Sequence, residues 1–425
     1  MAETLLIVFV IFVVLGMPIG IALGVGALAA ATLYPALNPI IIPTRFVGLL
    51  SDSFLLLAAP LFILAGNIAA RGGVARAIID LATVLVGRFR GGLAYVNIVD
   101  SMIFGGISGS AVADVSALGT FLIPQMVRKG YDKDFATILT ICTAILAPII
   151  PPSIIAVIYA WMADESVAAI FAGGYLPGLL IAIGMAVPVF VISKKRNYPK
   201  EPPPTREQFM TALRNALPAI MIPVIIMGGI LIGWFTPTEA AAVAVVYALI
   251  VELWIYRALD WKQVFRIAEE SAVTTVVIFI LLAMGSVLSY FITLSDVQTG
   301  LVSFISEHRM NWVMFLLVVN MIFFIAGCFI DPNSILLVLV PTLFPVATAL
   351  GIDPIHFGLV VCLNICIGMI TPPFGLDLFV ASGTLKRSVE TVISGIWPFI
   401  AVNIVVLAII SYVPAISTAL PKLLL

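Results

Sequence analysis

The sequence predicts an all-α polytopic membrane protein, and its composition is the first reason. Of the 425 residues, 62% are hydrophobic and only 10% are charged, whereas about a quarter of the residues of soluble domains are charged. Many apolar runs approach or exceed the roughly 20 residues that a helix needs to cross a bilayer. Because backbone polar groups inside lipid must be satisfied within their own segment, these runs predict helices.

An internal repeat is the second reason. The segment 104–124, FGGISGSAVADVSALGTFLIP, lies among apolar runs but is rich in glycine and serine. A shift of 221 residues superimposes it on 325–345, IAGCFIDPNSILLVLVPTLFP, and superimposes Pro151-Pro152 on Pro372-Pro373. Two polar, glycine-broken segments in corresponding halves of an apolar chain are typical of secondary transporters. We therefore expect a broken helix at each segment.

Each half also contains a short apolar segment with an interruption. The segment 53–70 has Pro60 at its centre, and 274–293 has Gly285 in its middle. We predict a re-entrant hairpin at each, with a kinked span as the alternative for the first. Non-helical backbone at membrane depth persists only where protein or a water-lined cavity covers it, so both hairpins are expected to face the functional site.

A basic linker divides the chain into the halves 1–192 and 215–425. The linker, 193–214, holds six of the 21 Lys and Arg residues, which places it in the cytoplasm by the positive-inside rule. The first basic residue of the chain is Arg45. A signal peptide needs a basic start, so we predict a retained N-terminal span.

The proline pairs predict two cation sites. Proline lacks an amide hydrogen and leaves upstream carbonyls unpaired, and free carbonyls in a membrane are costly unless they bind something. Carbonyls of broken helices can replace the hydration shell of Na⁺. The two candidate groups are Ser108, Ala147, Ile150 and Pro152 in the first half, and Gly327, Gly368, Thr371 and Pro373 in the second. The alternative is that the proline pairs only kink their helices.

Asp331 is the principal candidate for contact with a polar substrate. An intramembrane carboxylate is functional by default, and Ser110 occupies the same position in the first half. The alternative for Asp331 is a capping role for the helix that follows, and both roles can hold at once. Other acidic residues carry less weight as candidates, namely Asp114, Glu239 and Asp377.

Several function classes are not indicated. No glycine-rich loop is followed by Lys and Ser or Thr, which argues against ATP hydrolysis by this chain. Its two histidines and four cysteines show no spacing typical of a zinc or haem site. No nucleophile constellation points to a membrane-embedded enzyme, so an ion gradient or another subunit is expected to drive transport.

The motifs resemble those of a known family. FGGISGSAVAD, AAPLFILAGN, LAPIIPPS, TPTEAAA and IDPNS with ITPPFG together resemble the large, DctM-like membrane subunit of tripartite ATP-independent periplasmic (TRAP) transporters. The resemblance covers essentially the whole chain. It implies two inverted repeats, each with a re-entrant hairpin and a broken helix, in an elevator-type transporter of the bacterial inner membrane.

The resemblance also implies a function and partners. It implies Na⁺-coupled import of an organic anion, a carboxylate such as sialic acid or a C4-dicarboxylate, received from a periplasmic substrate-binding protein. The partners implied are that protein, a small four-helix membrane subunit and the lipid bilayer, with no nucleic acid. No four-helix block precedes Met1, so the small subunit is expected as a separate chain. The two cation groups would bind two or more Na⁺ ions. The substrate pocket would use Ser108, Ser110, Ser153 and Asp331.

One alternative function stays open at this stage. An ion or H⁺ antiporter would act without a binding protein, and its signature would be paired intramembrane acids with a basic partner. The sequence shows no such pairing. A neighbouring gene for a periplasmic binding protein would separate the two functions, and ligand screening on that protein would identify the acid carried.

Overall fold

A computed structural model describes residues 2–34, 38–52, 54–295, 310–373, 375–385 and 389–425, together with positions 300, 303 and 307. Within these residues the chain is almost entirely α-helical and contains no β-strand. The helices are α1 Ala2–Val14, α2 Ile19–Leu33, α3 Ile41–Asp52, α4 Ala58–Arg71, α5 Gly73–Val86, α6 Gly92–Ser108, α7 Ala111–Arg128, α8 Lys133–Thr143, α9 Ile154–Ala163, α10 Val167–Lys195, α11 Arg206–Leu231, α12 Pro237–Ile250, α13 Trp261–Leu294, α14 Trp312–Phe329, α15 Pro332–Ala349, α16 Pro354–Met369, α17 Leu376–Leu385, α18 Val389–Tyr412 and α19 Ala415–Leu424.

Eight helical segments in these ranges are long and apolar enough to cross a membrane. They are Phe54–Arg71, Val167–Lys195, Arg206–Leu231, Pro237–Ile255, Trp261–Leu294, Trp312–Phe329, Pro332–Ala349 and Thr391–Tyr412. The prediction of an all-α polytopic membrane protein is confirmed.

The first broken segment, 104–124, contains a helical hairpin. Gly109 and Ser110 separate α6 from α7, and Gly109 has a φ of 59°, a left-handed conformation that favours glycine. Ser101 Oγ donates to Asp114 Oδ2 at 2.7 Å. In one continuous helix a separation of 13 residues would place them about 20 Å apart. The chain therefore reverses at Gly109, and α7 runs back along α6.

The second broken segment, 325–345, contains an equivalent hairpin. Helices α14 and α16 run parallel, because Phe315 stacks on Phe357 and Asn364 Nδ2 donates to Asn320 Oδ1 at 2.7 Å. Only residues 350–353 join α15 to α16, so α15 must return along α14. The reversal lies at Ile330 and Asp331.

Two genuine helix breaks follow the hairpins. After α8 and a short 3₁₀ turn, residues 147–153 form no α-helix before α9 begins. After α16, the chain is again interrupted before α17 begins at Leu376. The Pro151-Pro152 and Pro372-Pro373 peptide bonds in these breaks are cis. The proline pairs thus interrupt the helices and do more than kink them.

The hairpins predicted at 53–70 and 274–293 are wrong. Phe54–Arg71 is one continuous helical segment, with Ser53 outside the described residues. Pro60 is the third residue of α4 and comes shortly after the 3₁₀ turn Phe54–Leu57, so this proline lies within the segment without reversing the chain. The range 274–293 lies within the continuous α13, where a Cβ at Gly285 would lie 2.5 Å from a methyl carbon of Leu337. That glycine therefore permits close packing of α13 against α15.

The predicted linker 193–214 is partly helical. Helix α10 extends to Lys195 and α11 begins at Arg206, so only residues 196–205 are non-helical. Tyr198 in this stretch stacks on Tyr131 with a 4.4 Å centroid separation, which holds the linker against the loop between α7 and α8. Its cytoplasmic location and the division into 1–192 and 215–425 stay predictions.

Candidate functional site

The tip of the first hairpin is in backbone contact with the first helix break. A Cβ at Gly109 would lie 2.5 Å from the Pro152 carbonyl oxygen, and one at Gly105 would lie 2.6 Å from the Cα of Ala147. Both distances are shorter than van der Waals contact, so only glycine permits this approach. These contacts bring the residues of the first predicted cation group close together. Ile150 lies near Gly106, and Ser108 lies between Gly105 and Gly109 in the chain.

Within the described residues, the first break leaves three buried backbone carbonyls without a hydrogen-bond partner. In the described part of the chain, the carbonyls of Ala147, Ile150 and Pro152 accept no hydrogen bond, and all three residues are buried. Buried backbone carbonyls are almost always paired. A cation such as Na⁺ would satisfy them, with the buried Ser108 hydroxyl as a further oxygen ligand.

The second hairpin meets the second break in a similar way. A Cβ at Gly368 would lie 2.5 Å from the Cα of Gly327, and the Gly375 N–H donates to the Cys328 carbonyl at 3.2 Å. Thr371 is buried, and its hydroxyl donates to the Ile367 carbonyl at 2.7 Å. Gly327, Gly368 and Thr371 are thereby gathered. Pro373, the fourth predicted member of this group, is exposed.

Both hairpin tips face one cavity of about 1190 Å³. Its wall includes Ser108, Gly109 and Ser110 from the first tip and Asp331 and Asn333 from the second. This volume is slightly larger than the roughly 300–1,000 Å³ of small-molecule sites. The cavity can therefore hold an organic ion of moderate size together with water.

Helices α4 and α13 form a further part of the wall, and it carries groups that were not predicted from the sequence. Arg71 pairs with Glu270, and Asn67 Nδ2 donates to Ser271 Oγ at 2.9 Å. Arg71 is the only basic side chain on the described wall. The sequence could have indicated Arg71, because it follows Asn67 by four residues at the end of an apolar run. Residues i and i+4 share a helix face, so the two polar side chains are expected on the same side of α4.

Asp331 combines the two roles considered for it. Its Oδ1 atom accepts from the backbone N–H groups of Asn333 and Ser334, each at 3.1 Å, and so caps α15. The same side chain belongs to the cavity wall. Ser110 likewise caps α7, accepting from Ala113 N at 3.4 Å, and lines the cavity.

Ser153 and the three acidic candidates of lower weight are not part of the cavity wall. Ser153 is buried, caps α9 by accepting from Ala156 N at 3.1 Å, donates to the Pro148 carbonyl and is absent from the cavity wall. Glu239 forms a capping box with Thr236 at the start of α12. Asp114 and Asp377 are fully buried away from the wall.

The model of the DctM component of tripartite ATP-independent periplasmic transporters matches residues 6–416. The chain belongs to this family. Its DctM relatives include the C4-dicarboxylate TRAP transporter large permease protein of Pseudomonas aeruginosa, 39% identical over 88% of this chain and 87% of the relative. The sialic acid TRAP transporter large permease protein SiaM of Vibrio cholerae is 37% identical over 96% of both chains.

A solved structure supports the DctM fold independently. The YdaH transporter of Alcanivorax borkumensis is similar with a TM-score of 0.60, over 87% of this chain and 86% of that chain. At 13% identity the likeness concerns the fold alone. Family and spans together identify a multi-pass transporter subunit of the bacterial inner membrane.

Proposed function

We propose that this DctM chain is the Na⁺-coupled translocating subunit of a TRAP importer for an organic anion, working by an elevator mechanism. The shared cavity carries the proposal. Two hairpin tips face it, and each tip packs against a helix break. One space bounded by both halves is suited to a cargo that is carried together with ions bound at the breaks.

The cavity wall favours an anionic cargo. The first residues of α7 and α15 lie in the wall, and the positive end of a helix dipole attracts anions. At α15 the contribution is that of the dipole alone, because Asp331 already accepts from the N–H groups of Asn333 and Ser334. The hydroxyls of Ser108 and Ser110 and the guanidinium of Arg71 add donors. Relatives named for C4-dicarboxylates and sialic acid support a carboxylate.

Charge on the wall favours Na⁺ coupling. Arg71 is opposed by Glu270 and Asp331, so these charged wall residues alone give no excess of positive charge. Na⁺ ions at the two carbonyl groups would supply that excess and would make anion binding depend on sodium. Transfer of cargo and ions as one unit, by movement of the hairpins and broken helices, is the elevator step of the proposal.

The tripartite family supports two partners. A small four-helix membrane subunit would assemble with this chain, and a periplasmic substrate-binding protein would deliver the anion. A second function, ion or H⁺ antiport without a binding protein, is separated from the first by the requirement for these partners.

Uptake by proteoliposomes tests the proposal. We expect uptake of a radiolabelled C4-dicarboxylate or of sialic acid only with the small subunit, the matching binding protein and an inward Na⁺ gradient. Equal uptake with K⁺ in place of Na⁺ would refute sodium coupling. Equal uptake without the binding protein would refute the tripartite assignment.

Arg71→Gln tests the cavity as the anion site. We expect at least a tenfold loss of uptake with little change in melting temperature, because a half-exposed ion pair contributes at most about 1 kcal/mol. Arg266→Gln is the matched control, since Arg266 pairs with the same Glu270 at 3.3 Å but lies outside the wall. Equal loss in both variants would show that only the Glu270 pairing matters.

A further inference from the structure

Three buried aspartates lie behind the lining residues of the cavity or elsewhere in the core, outside the lining itself. Asp100 on α6 is 1% exposed, and Asp114 on α7 and Asp377 on α17 are 0% exposed. None belongs to the cavity wall. Paired acids with a basic partner were not expected from the sequence, and in its described part the structure brings acids together without such a partner, since α6 reverses into α7 and α17 packs against α7.

The packing of several helices brings the three side chains together. Helix α6 reverses into α7, and α17 packs against α7. Asp377 also lies within electrostatic range of the thiols of Cys142 on α8 and Cys366 on α16. The cluster therefore joins the first hairpin to both broken helices.

Four carboxylate oxygens of the cluster have no hydrogen-bond partner. They are Asp100 Oδ1, Asp114 Oδ1 and both oxygens of Asp377. The Ser101 hydroxyl satisfies Asp114 Oδ2. Among the described residues, Asp377 is the only fully buried carboxylate whose two oxygens both lack a hydrogen-bond partner.

No described cation compensates these acids. In the part of the chain that the structure describes, no Lys or Arg lies within ion-pair distance of the three carboxylates. The guanidinium of Arg76 on the neighbouring α5 lies over the Phe121 ring, 4.9 Å from its centroid, and its positive charge interacts electrostatically with the Glu252 carboxylate. Asp80, also on α5, is exposed and supplies no positive charge.

An unpaired carboxylate buried in a low-dielectric interior binds a proton and becomes neutral, because desolvation penalises the charged form. A metal ion is the other means of neutralising such a group. The described residues contain no group of three His, Cys, Asp or Glu side chains placed to hold one. Complete burial and unpartnered oxygens, with no converging set of such side chains among the described residues for a multivalent metal ion, favour the proton as the ligand of this cluster.

We propose that Asp100, Asp114 and Asp377 form an intramembrane proton-binding site. Each bound proton converts one carboxylate into a carboxylic acid, and its release returns the charge and forces the neighbouring carboxylates apart. Asp114 follows the hairpin glycine Gly109 by five residues, and Asp377 follows Pro373 of the second break by four. Proton release would therefore alter the packing between the two predicted cation sites.

The effect on transport rests on the proposed function, but proton binding itself does not. Infrared difference spectroscopy on the full chain alone, in lipid vesicles at neutral pH, measures it directly. We expect carbonyl-stretch bands of protonated carboxylic acids that shift on exchange into deuterium oxide. Asp377→Asn should remove one band, and Asp100→Asn or Asp114→Asn should remove or displace the others.

Asp132→Asn is the matched control. Asp132 is a half-exposed N-cap that accepts from Phe135 N at 2.9 Å, and asparagine caps equally well. This variant should leave every protonated-acid band in place. The wild-type spectrum needs no variant, so absence of any such band at neutral pH would overturn the proposal even if the asparagine variants fail to fold.

Thermal melts provide a second readout. At alkaline pH the wild type must lose its buried protons, so its melting temperature should fall, and Asp377→Asn should fall less. If Na⁺ neutralised the cluster instead, replacing Na⁺ by K⁺ at constant ionic strength would lower the melting temperature of the wild type. The melting temperature of Asp377→Asn would then stay unchanged. That result would also overturn the proposal. A failure of Na⁺-driven uptake that leaves the infrared bands and the melting temperatures as expected would count against the proposed function only.

Discussion

Each half of the chain contains a helical hairpin, but the two hairpins reverse by different chemistry. The first turns at Gly109 in a left-handed conformation and is capped by the Ser110 hydroxyl. The second has no left-handed residue at its turn and is capped by the Asp331 carboxylate, with Pro332 as the first helical residue. A carboxylate cap adds a negative charge to the cavity wall that a hydroxyl cap does not.

The charge within the hairpins is distributed in the opposite way. The first hairpin holds Asp100 and Asp114 in its interior, whereas the residues 221 positions later are Met321 and Ile335. The acid of the second hairpin is at its tip instead. The acids therefore lie in the interior of the first hairpin and at the tip of the second.

The largest expected effect comes from filling the first turn. Gly109→Ala combines left-handed strain of about 1–2 kcal/mol with overpacking of about 1–3 kcal/mol against the Pro152 carbonyl. We expect loss of uptake and a clearly lower melting temperature. Gly130→Ala is the control, since Gly130 has a φ of 89° with nothing within 4 Å of the added methyl group. Equal destabilisation of both would show that backbone conformation alone matters.

The second contact should be sensitive for a different reason. Gly368→Ala introduces no left-handed strain, but its methyl group meets the Gly327 backbone at 2.5 Å, where no side chain can move aside. We expect overpacking of about 1–3 kcal/mol and weaker Na⁺ dependence of uptake. Gly383→Ala on α17, with nothing within 4 Å, should keep or slightly raise the melting temperature. Unchanged sodium affinity in Gly368→Ala would separate this contact from ion binding.

The smallest effect on stability is expected at the caps. Asp331→Ala should cost about 1 kcal/mol of unfolding free energy, and Asp331→Asn should cost less because asparagine also caps. Uptake should nevertheless be lost in both, since the Asp331 carboxylate belongs to the cavity wall. Ser110→Ala should show a similar loss of stability. Near-normal uptake by Asp331→Asn would leave Asp331 a purely structural role.

The helix breaks could be predicted because their causes are local in sequence. A proline pair removes two adjacent amide donors wherever it occurs, and the 221-residue register places both pairs in equivalent positions. Pro60 led to the wrong prediction of a hairpin, because the sequence does not distinguish a proline in the first turn of a helix from one in its middle. Its true place depends on where α4 begins.

Residues that act together across the fold were harder to find. The pairing of Arg71 with Glu270 requires α4 and α13 to be neighbours, and they are about 200 positions apart. Asp100 and Asp377 are separated still further and meet only through α7. Each residue alone is an ordinary acid or base near an apolar run, so only the packing identifies it.

The carbonyls of Ala147 and Ile150 have a consequence for how this protein can vary between species. A carbonyl oxygen is the same in every amino acid, so an exchange of side chain at either position leaves the potential ligand atom unchanged. The constraint falls instead on Gly105 and Gly109, where any side chain would push the two backbones apart. Among distant relatives we therefore expect such a site to be conserved at its glycines. The residues that supply the carbonyl ligands are free to differ, so a comparison of those residues alone would miss the site.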